Sequence, residues 1–501
     1  MADRSDQHAA TMTAMSGVVL GLIAASIDAG SVATALPTIV DELGGLEQLP
    51  WVVTAYLLAS TVVLPIYGGW SDAIGRKSLF LGALSIVVVG SALAATAVNV
   101  AWLIVARVVT GMGAGGLIIL AQSMVADTVA PRQRSRYLGV LGAVFSIGNV
   151  IGPVLGGVLT DRLGWRWTFL VTIPLGLAAI GIASKRLPAA TARRHTRSLD
   201  VTGAALLTSA LTALVLAIVL GGGRLAWSSP LVVGLGALAI LLGTVLLRWE
   251  ARVERGVIPV RLLGGRDITL ALLVAFITGT AIMGLIFFTP VFLQVAAGVS
   301  PTQSGVLMLP LMGGFMVSSV VTGRIITRLG HYKPFPIAGT VILAIAFGLL
   351  GILETTTPLP LVAVYLAASG IGVGMVMQVI ILAVQNMVPS DAIGSATSVA
   401  QLFRAIGATV GVTAFGSVLT SRFLDGLAAR GVGDVGVEAG SLLGDAEALN
   451  LLTPATREAV AASAGDAVTF VFMLAVPICL TALMAAIAMR ERPLLGEMGF
   501  D

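Results

Sequence analysis

The sequence is poor in the residues that most chemistry needs. Its single cysteine, Cys479, lies in an apolar run, which excludes a disulfide framework and a thiolate metal set. The three histidines are His8, His195 and His331. No metal or nucleophile constellation surrounds them, so neither an enzyme nor a metal site is expected. There is no G-x4-G-K-[ST] string to cradle phosphates, and no cofactor is expected. Charge is scarcest: 11% of the 501 residues are Asp, Glu, Lys or Arg, against roughly 25% in a soluble domain. With 57% hydrophobic residues and a mean hydropathy of +1.00, the chain has more apolar surface than a soluble fold can hide. It belongs in a lipid bilayer. The first apolar run has no A-x-A-like cleavage site and many runs follow it, so it reads as a retained span and not as a signal peptide.

What the chain does have is a succession of long apolar stretches. A spanning helix needs about 20 mostly apolar residues. By that measure the sequence predicts roughly fourteen spans, at 16–38, 51–71, 79–98, 101–126, 136–160, 167–187, 201–221, 230–248, 268–297, 303–326, 335–353, 359–387, 393–420 and 467–489. With the N-terminus inside, Lys and Arg concentrate in the inside segments, as in Arg76-Lys77, Arg132–Arg136, 185–197 and 248–266. Both termini are therefore expected to be cytoplasmic. The net charge of +4 is topogenic, and no nucleic-acid partner is implied. Trp51, Trp102, Trp165, Trp167, Trp227 and Trp249 fall at span ends, as interfacial anchors do.

A weak internal repeat organises these spans. Gly68-x3-Asp72-x2-Gly75-Arg76-Lys77 follows the second span, and Gly323-x3-Thr327-x2-Gly330 follows the tenth. Gly111-x-Gly113-x-Gly115 in the fourth is echoed by Gly370-x-Gly372-x-Gly374 in the twelfth. The expected architecture is an all-α polytopic protein made of two six-helix bundles in parallel repeat, plus two additional spans. Its parts are a tail at 1–15, a first bundle at 16–187, basic linkers with the extra pair at 188–267, a second bundle at 268–490, and a tail at 491–501. The second bundle includes an external segment, 421–466, in which Leu442–Leu452 and Thr456–Ser463 could form short helices.

Ionisable groups inside spans are costly and mark function. Asp28 lies near the middle of the first span, and Arg107 and Arg404 lie within the fourth and thirteenth. Burial disfavours the charged form of a carboxylate, and a neighbouring cation favours it. Asp28 therefore reads as a proton-coupling residue and Arg107 as its partner by chemistry; a static structural ion pair is the alternative. Arg404 has no acid of its own in the second half, and either an anionic ligand group or backbone carbonyls would satisfy it. In the fifth span Gly148, Gly152 and Gly156 are four apart and share a face that lets another helix approach closely. Pro153 removes a backbone hydrogen bond and permits bending there. Ser31, Phe145, Asn149, Met312, Gln378, Gln385 and Arg404 are candidates for a substrate cavity. Gln378 and Gln385, seven apart on one face, fit cavity lining and interhelical hydrogen bonding equally. Met308, Met312 and Met316 fit either a promiscuous apolar site or ordinary packing.

Together these motifs resemble a major facilitator superfamily transporter, of the fourteen-span drug:proton antiporter (EmrB/QacA-like) type, over nearly the whole length. Gly68-Gly69-Trp70-Ser71-Asp72-Ala73-Ile74-Gly75-Arg76-Lys77 is similar to the family's loop signature, which implies a latch between the halves at Gly68, Asp72, Gly75, Arg76 and Lys77. Ala73 and Trp70 depart from that pattern. The string Gly148-Asn149-x2-Gly152-Pro153-x2-Gly156-Gly157 resembles the signature linked to exporters. The resemblance implies proton-coupled export of amphipathic drugs, antibiotics or other small hydrophobic compounds across the bacterial plasma membrane by a monomer, with the proton as coupling ion. Export of a lipid or a self-produced metabolite by the same fold is the alternative.

Overall fold

The computed structural model describes residues 2–43, 49–187, 200–223, 225–253, 265–432 and 453–494. In chain order its helices are α1 Ala2–Leu43, α2 Leu49–Val62, α3 Leu64–Ile74, α4 Arg76–Ala95, α5 Val100–Thr128, α6 Pro131–Leu163, α7 Arg166–Leu170 and α8 Thr172–Arg186. The series continues with α9 Val201–Gly223, α10 Pro230–Glu250, α11 Arg266–Val291, α12 Pro301–Leu329, α13 Pro334–Leu350, α14 Leu359–Met387, α15 Ile393–Ala429 and α16 Pro454–Ala488. A π turn, Phe292–Ala296, extends α11.

Each predicted span falls on helix, but the details differ. The second is divided between α2 and α3, because Pro65 cannot donate to residue 61. The sixth is divided between α7 and α8, where Pro174 has the same effect. Residues 2–15, expected as a tail, continue α1. Thr456–Ser463 is no separate helix. It forms the first turns of α16, which starts where the Thr453 side chain accepts from Thr456 N–H and Pro454 supplies a preset φ. Leu442–Leu452 lies outside the described residues. Among the described residues twelve helices are long and apolar enough to cross a membrane. The fifth and eleventh predicted positions hold α6, whose ends carry Arg132, Arg134, Arg136, Asp161 and Arg162, and α13, which has 17 residues.

The internal repeat extends to packing partners. Gly111 and Gly115 of α5 lie against the Tyr56 and Ser60 carbonyls of α2, and Gly113 lies against α4 at Ala83 and Val87. In the second half Gly370 and Gly374 of α14 lie against the Leu311 and Phe315 carbonyls of α12, and Gly372 meets α13 at Leu343. One three-residue motif thus seats two neighbouring helices twice. The additional pair, α9 and α10, packs through Leu207 and Leu211 of α9 onto Val62, Leu64 and Leu402. Leu231, Val233, Ile240, Leu241 and Leu247 of α10 remain exposed, as suits a helix bathed in lipid.

The glycine face of α6 is set into α1. A Cβ at Gly152 would lie 2.9 Å from Gly30 Cα, and one at Gly156 would lie 2.5 Å from the Ser31 carbonyl; Gly148 abuts Ser26. Gly157, in the same sequence string, faces open space. Gly156→Ala should therefore lower the melting temperature by several degrees through overpacking worth about 1–3 kcal/mol, whereas Gly157→Ala should leave it unchanged. Fluorescence-detected size-exclusion melts of the two variants compare them directly.

At the far end of α1, Glu42 accepts from Arg166 Nη1 at 2.5 Å and from Trp165 Nε1 at 2.6 Å. These bonds, that of Arg166 foremost, hold the Glu42 carboxyl below its ordinary pKa of 4.5. The lowered folded value makes the linked stability fully present above pH 4.5 and progressively lost as pH falls through the folded-state value. Glu42→Gln should accordingly flatten the acid limb of the melting curve and leave stability near neutral pH less sensitive to further acidification.

Candidate functional site

Asp28 is wholly buried and its carboxylate has two donors. Arg107 Nη1 stands 2.6 Å from Oδ2, and Ser91 Oγ donates to Oδ1 at 3.0 Å. The first helix, the third predicted span (α4) and the fourth (α5) therefore meet at one acid. Ser31 does not reach the carboxylate; its Oγ donates to the Asp28 backbone carbonyl at 3.3 Å. The Arg107 guanidinium lies over the Tyr56 ring at 4.2 Å, with the Phe169 ring at 5.9 Å. A desolvated cation gains from such a ring face, and Arg107 Nε has no hydrogen-bond partner. Ser91 and Tyr56 were not foreseen from the sequence. A hydroxyl in an apolar span was the available signal for Ser91.

The signature around Gly75 is less a loop than two helix ends. Gly68 to Ile74 close α3, and Gly75, at φ 102°, turns the chain into α4. That φ is open to glycine and strained for other residues. Arg76 pairs with Asp127 and donates to the Ser123 carbonyl, both on α5. Lys77 Nζ donates to the Ser184 and Leu187 carbonyls at 2.8 and 2.6 Å, at the end of α8. Gly68 touches the other half, because a Cβ there would collide with Ser398 and lie 2.7 Å from the Gly394 carbonyl, at the start of α15. The Asp72 side chain lies outside the described residues.

A second polar layer joins the halves. Gln122 of α5 is wholly buried; its Nε2 donates to Gln378 Oε1 at 3.3 Å, and its Oε1 accepts from Gln401 Nε2 at 2.8 Å. Gln385 Nε2 donates to the Gln122 carbonyl at 3.2 Å and to Thr397 Oγ1 at 3.1 Å. Arg404 Nε donates to Gln401 Oε1 at 2.7 Å. Gln378 and Gln385 thus make the interhelical hydrogen bonds that were one of their two readings. Sequence reasoning missed Gln122 and Gln401, although an amide inside an apolar run was the signal.

Beyond this layer, toward the Gly75 end, more bonds cross between the halves. Arg132 donates to the Thr327 and Arg328 carbonyls at 3.0 and 2.6 Å, and Ser135 Oγ donates to the Gly323 carbonyl at 2.9 Å. Gly139 and Gly142 of α6 lie against Ser319. Phe145 continues that face onto the second-half core, where Met308 and Met312 also pack. Met375 lies against Gly339, and Met377 is buried. The Asn149 side chain lies outside the described residues. Among the described residues no group of His, Cys, Asp and Glu is disposed to hold a metal.

Two bundles of spanning helices that repeat one another, with a buried ion pair inside the first and a polar seam between the two, form the frame of a membrane transporter. Residues 18–412 match the model of the Major Facilitator Superfamily. The chain is 36% identical over 480 residues to an uncharacterized MFS-type transporter of Mycobacterium tuberculosis, covering 95% of this chain and 69% of the relative. It is 33% identical over 410 residues to the multidrug transporter protein MdtP of Bacillus subtilis, covering 81% and 75%. Its fold matches the human organic anion transporter MFSD10 with a TM-score of 0.62 at 17% identity, covering 93% of this chain and 99% of that one. The chain belongs to the Major Facilitator Superfamily.

Removing one member of a buried pair strands the other's charge, at a cost of about 3–5 kcal/mol. Asp28→Asn and Arg107→Gln should each lower the melting temperature in detergent, and the double variant should lose less than the sum of the two. A double-mutant cycle with strictly additive losses would show that the pair is not coupled.

Proposed function

We propose that the protein is a proton-coupled secondary exporter, an antiporter that moves small amphipathic compounds out of a bacterial cell across the plasma membrane. The observation that carries this reading is Asp28, sealed from water and held by Arg107. In this reading all fourteen helical positions cross the bilayer, α6 and α13 included. The basic residues put the Gly75 end and both termini on the cytoplasmic side. The inter-half contacts then lie on the cytoplasmic side of the molecule, which corresponds to a state closed to the cell interior. The names of the relatives support drug-like cargo, and a monomer suffices for the mechanism.

Each group then has a role. A proton arriving at Asp28 neutralises the carboxylate and releases Arg107 to the Tyr56 face. With its ion pair gone, α1 is free to shift along the glycine face of α6. Gly68 seats the first half on the start of α15 at the cytoplasmic side, Gly75, Arg76 and Lys77 brace that end within the first half, and Pro153 gives α6 its freedom to bend. Return to the inward state lets the proton leave as cargo enters. A charge moved through 100 mV yields about 2.3 kcal/mol, so one proton per cargo molecule drives substantial accumulation.

The test is transport in proteoliposomes with an imposed proton gradient. A singly charged dye such as ethidium should move in exchange for protons, and doubly charged cations should move poorly. Asp28→Asn should abolish proton-driven movement of the dye. Undiminished proton-coupled export by that variant would sink the mechanism.

A further inference from the structure

Arg404 is the charged spanning residue that the ion-pair mechanism leaves unused. On α15, Thr397, Gln401 and Arg404 fall on one stripe, four and seven residues apart. Thr397 accepts from Gln385, and Gln401 donates to Gln122 of the other half. The stripe therefore faces the seam between the bundles. Arg404 lies one turn beyond Gln401, away from the Gly75 end where Arg132 and Ser135 tie the halves together. Arg404 as a residue is only partly buried. Among the described residues no carboxylate pairs with it, whereas Arg107 pairs with Asp28.

We propose that Arg404 is the anion subsite of the cargo path: its guanidinium takes a carboxylate, or a similar small oxyanion, carried by an amphipathic compound. This rests on the transporter reading and adds a cargo class to it. A guanidinium keeps its charge at accessible pH and presents a planar fork matched to a carboxylate. A cation at membrane depth gains most from an anion that it can desolvate with. Arg404 is also preorganised. Gln401 Oε1 fixes Nε, the same Gln401 amide is fixed by Gln122, and Gln122 is held by Gln378. The ends of the fork are thus oriented before a ligand arrives. Because the orienting amide also bridges the halves, an anion bound at Arg404 acts on the residues that hold the seam.

The experiment compares naphthoate with its neutral amide, naphthamide, by equilibrium dialysis against the full-length protein in nanodiscs, with empty nanodiscs as the blank. The wild-type protein should bind naphthoate at least about tenfold more tightly, the effect of a hydrogen bond to a charged group. Arg404→Gln should erase that preference. Arg404→Lys keeps the charge without the fork; its preference should fall severalfold, which also serves if the Gln variant does not fold. Equal affinities in the wild type, binding of neither probe, or an unchanged preference in a folded Arg404→Gln variant would each overturn the subsite. The readout does not involve transport, so a preference that holds in a protein that exports nothing counts against the exporter reading and for the subsite.

Discussion

A carboxylate and a guanidinium sealed together out of water impose the strictest condition on this fold. Neither Asp28 nor Arg107 can be buried alone, since the desolvation of either ion costs several kcal/mol. They must be brought within hydrogen-bond distance by helices that are themselves tightly seated. The local structure serves that need. Ser91 takes the second carboxylate oxygen, Tyr56 covers the guanidinium, and Gly111 lets α5 approach the Tyr56 backbone closely. On the other side of α1, Gly30 and Gly152 meet backbone to backbone. Small residues supply the close approach that lipid, as apolar as any leucine, does not drive.

The same economy of side chains separates what is fixed from what can slide. Within each half, glycine triplets seat one helix against two neighbours, giving α5 and α14 matched surroundings. Between the halves the contacts change character. Backbone carbonyls accept from Arg132 and Ser135, and neutral amides meet neutral amides in the Gln122 layer. Such bonds hold the seam without a buried ion pair across it.

Much of this was legible in the sequence because lipid makes composition and length decisive. The helical positions, the parallel repeat and the spans that carry Asp28 and Arg107 all follow from hydropathy, glycine spacing and the cost of intramembrane charge. The rest depended on rotation about helix axes, which spacing alone does not fix. Ser31 and Ser91 are both serines in apolar spans, yet only Ser91 points its oxygen at the Asp28 carboxylate. Gly156 and Gly157 stand side by side in one motif, and one is wedged against α1 while the other is open. Gln122 shows the converse limit. Its partners are 256 and 279 residues away in sequence, so no local pattern announces them.

The neutrality of the amide bonds that cross between the halves at Gln122 bears on the energetics of the proposed cycle. A hydrogen bond between neutral groups contributes about 0.5–1.5 kcal/mol net, and a handful of them together match what a proton supplies: about 2.3 kcal/mol per 100 mV plus about 1.36 kcal/mol per unit of pH difference. Had ion pairs of the Asp28–Arg107 kind closed the seam, opening it would have stranded buried charges at several kcal/mol each, beyond the reach of one proton. A transporter driven by a single acid therefore requires its charge pair inside one half and amides between the halves. That is the division seen here: Asp28 and Arg107 both belong to the first bundle, while Gln122 reaches across to Gln378 and Gln401 in the second.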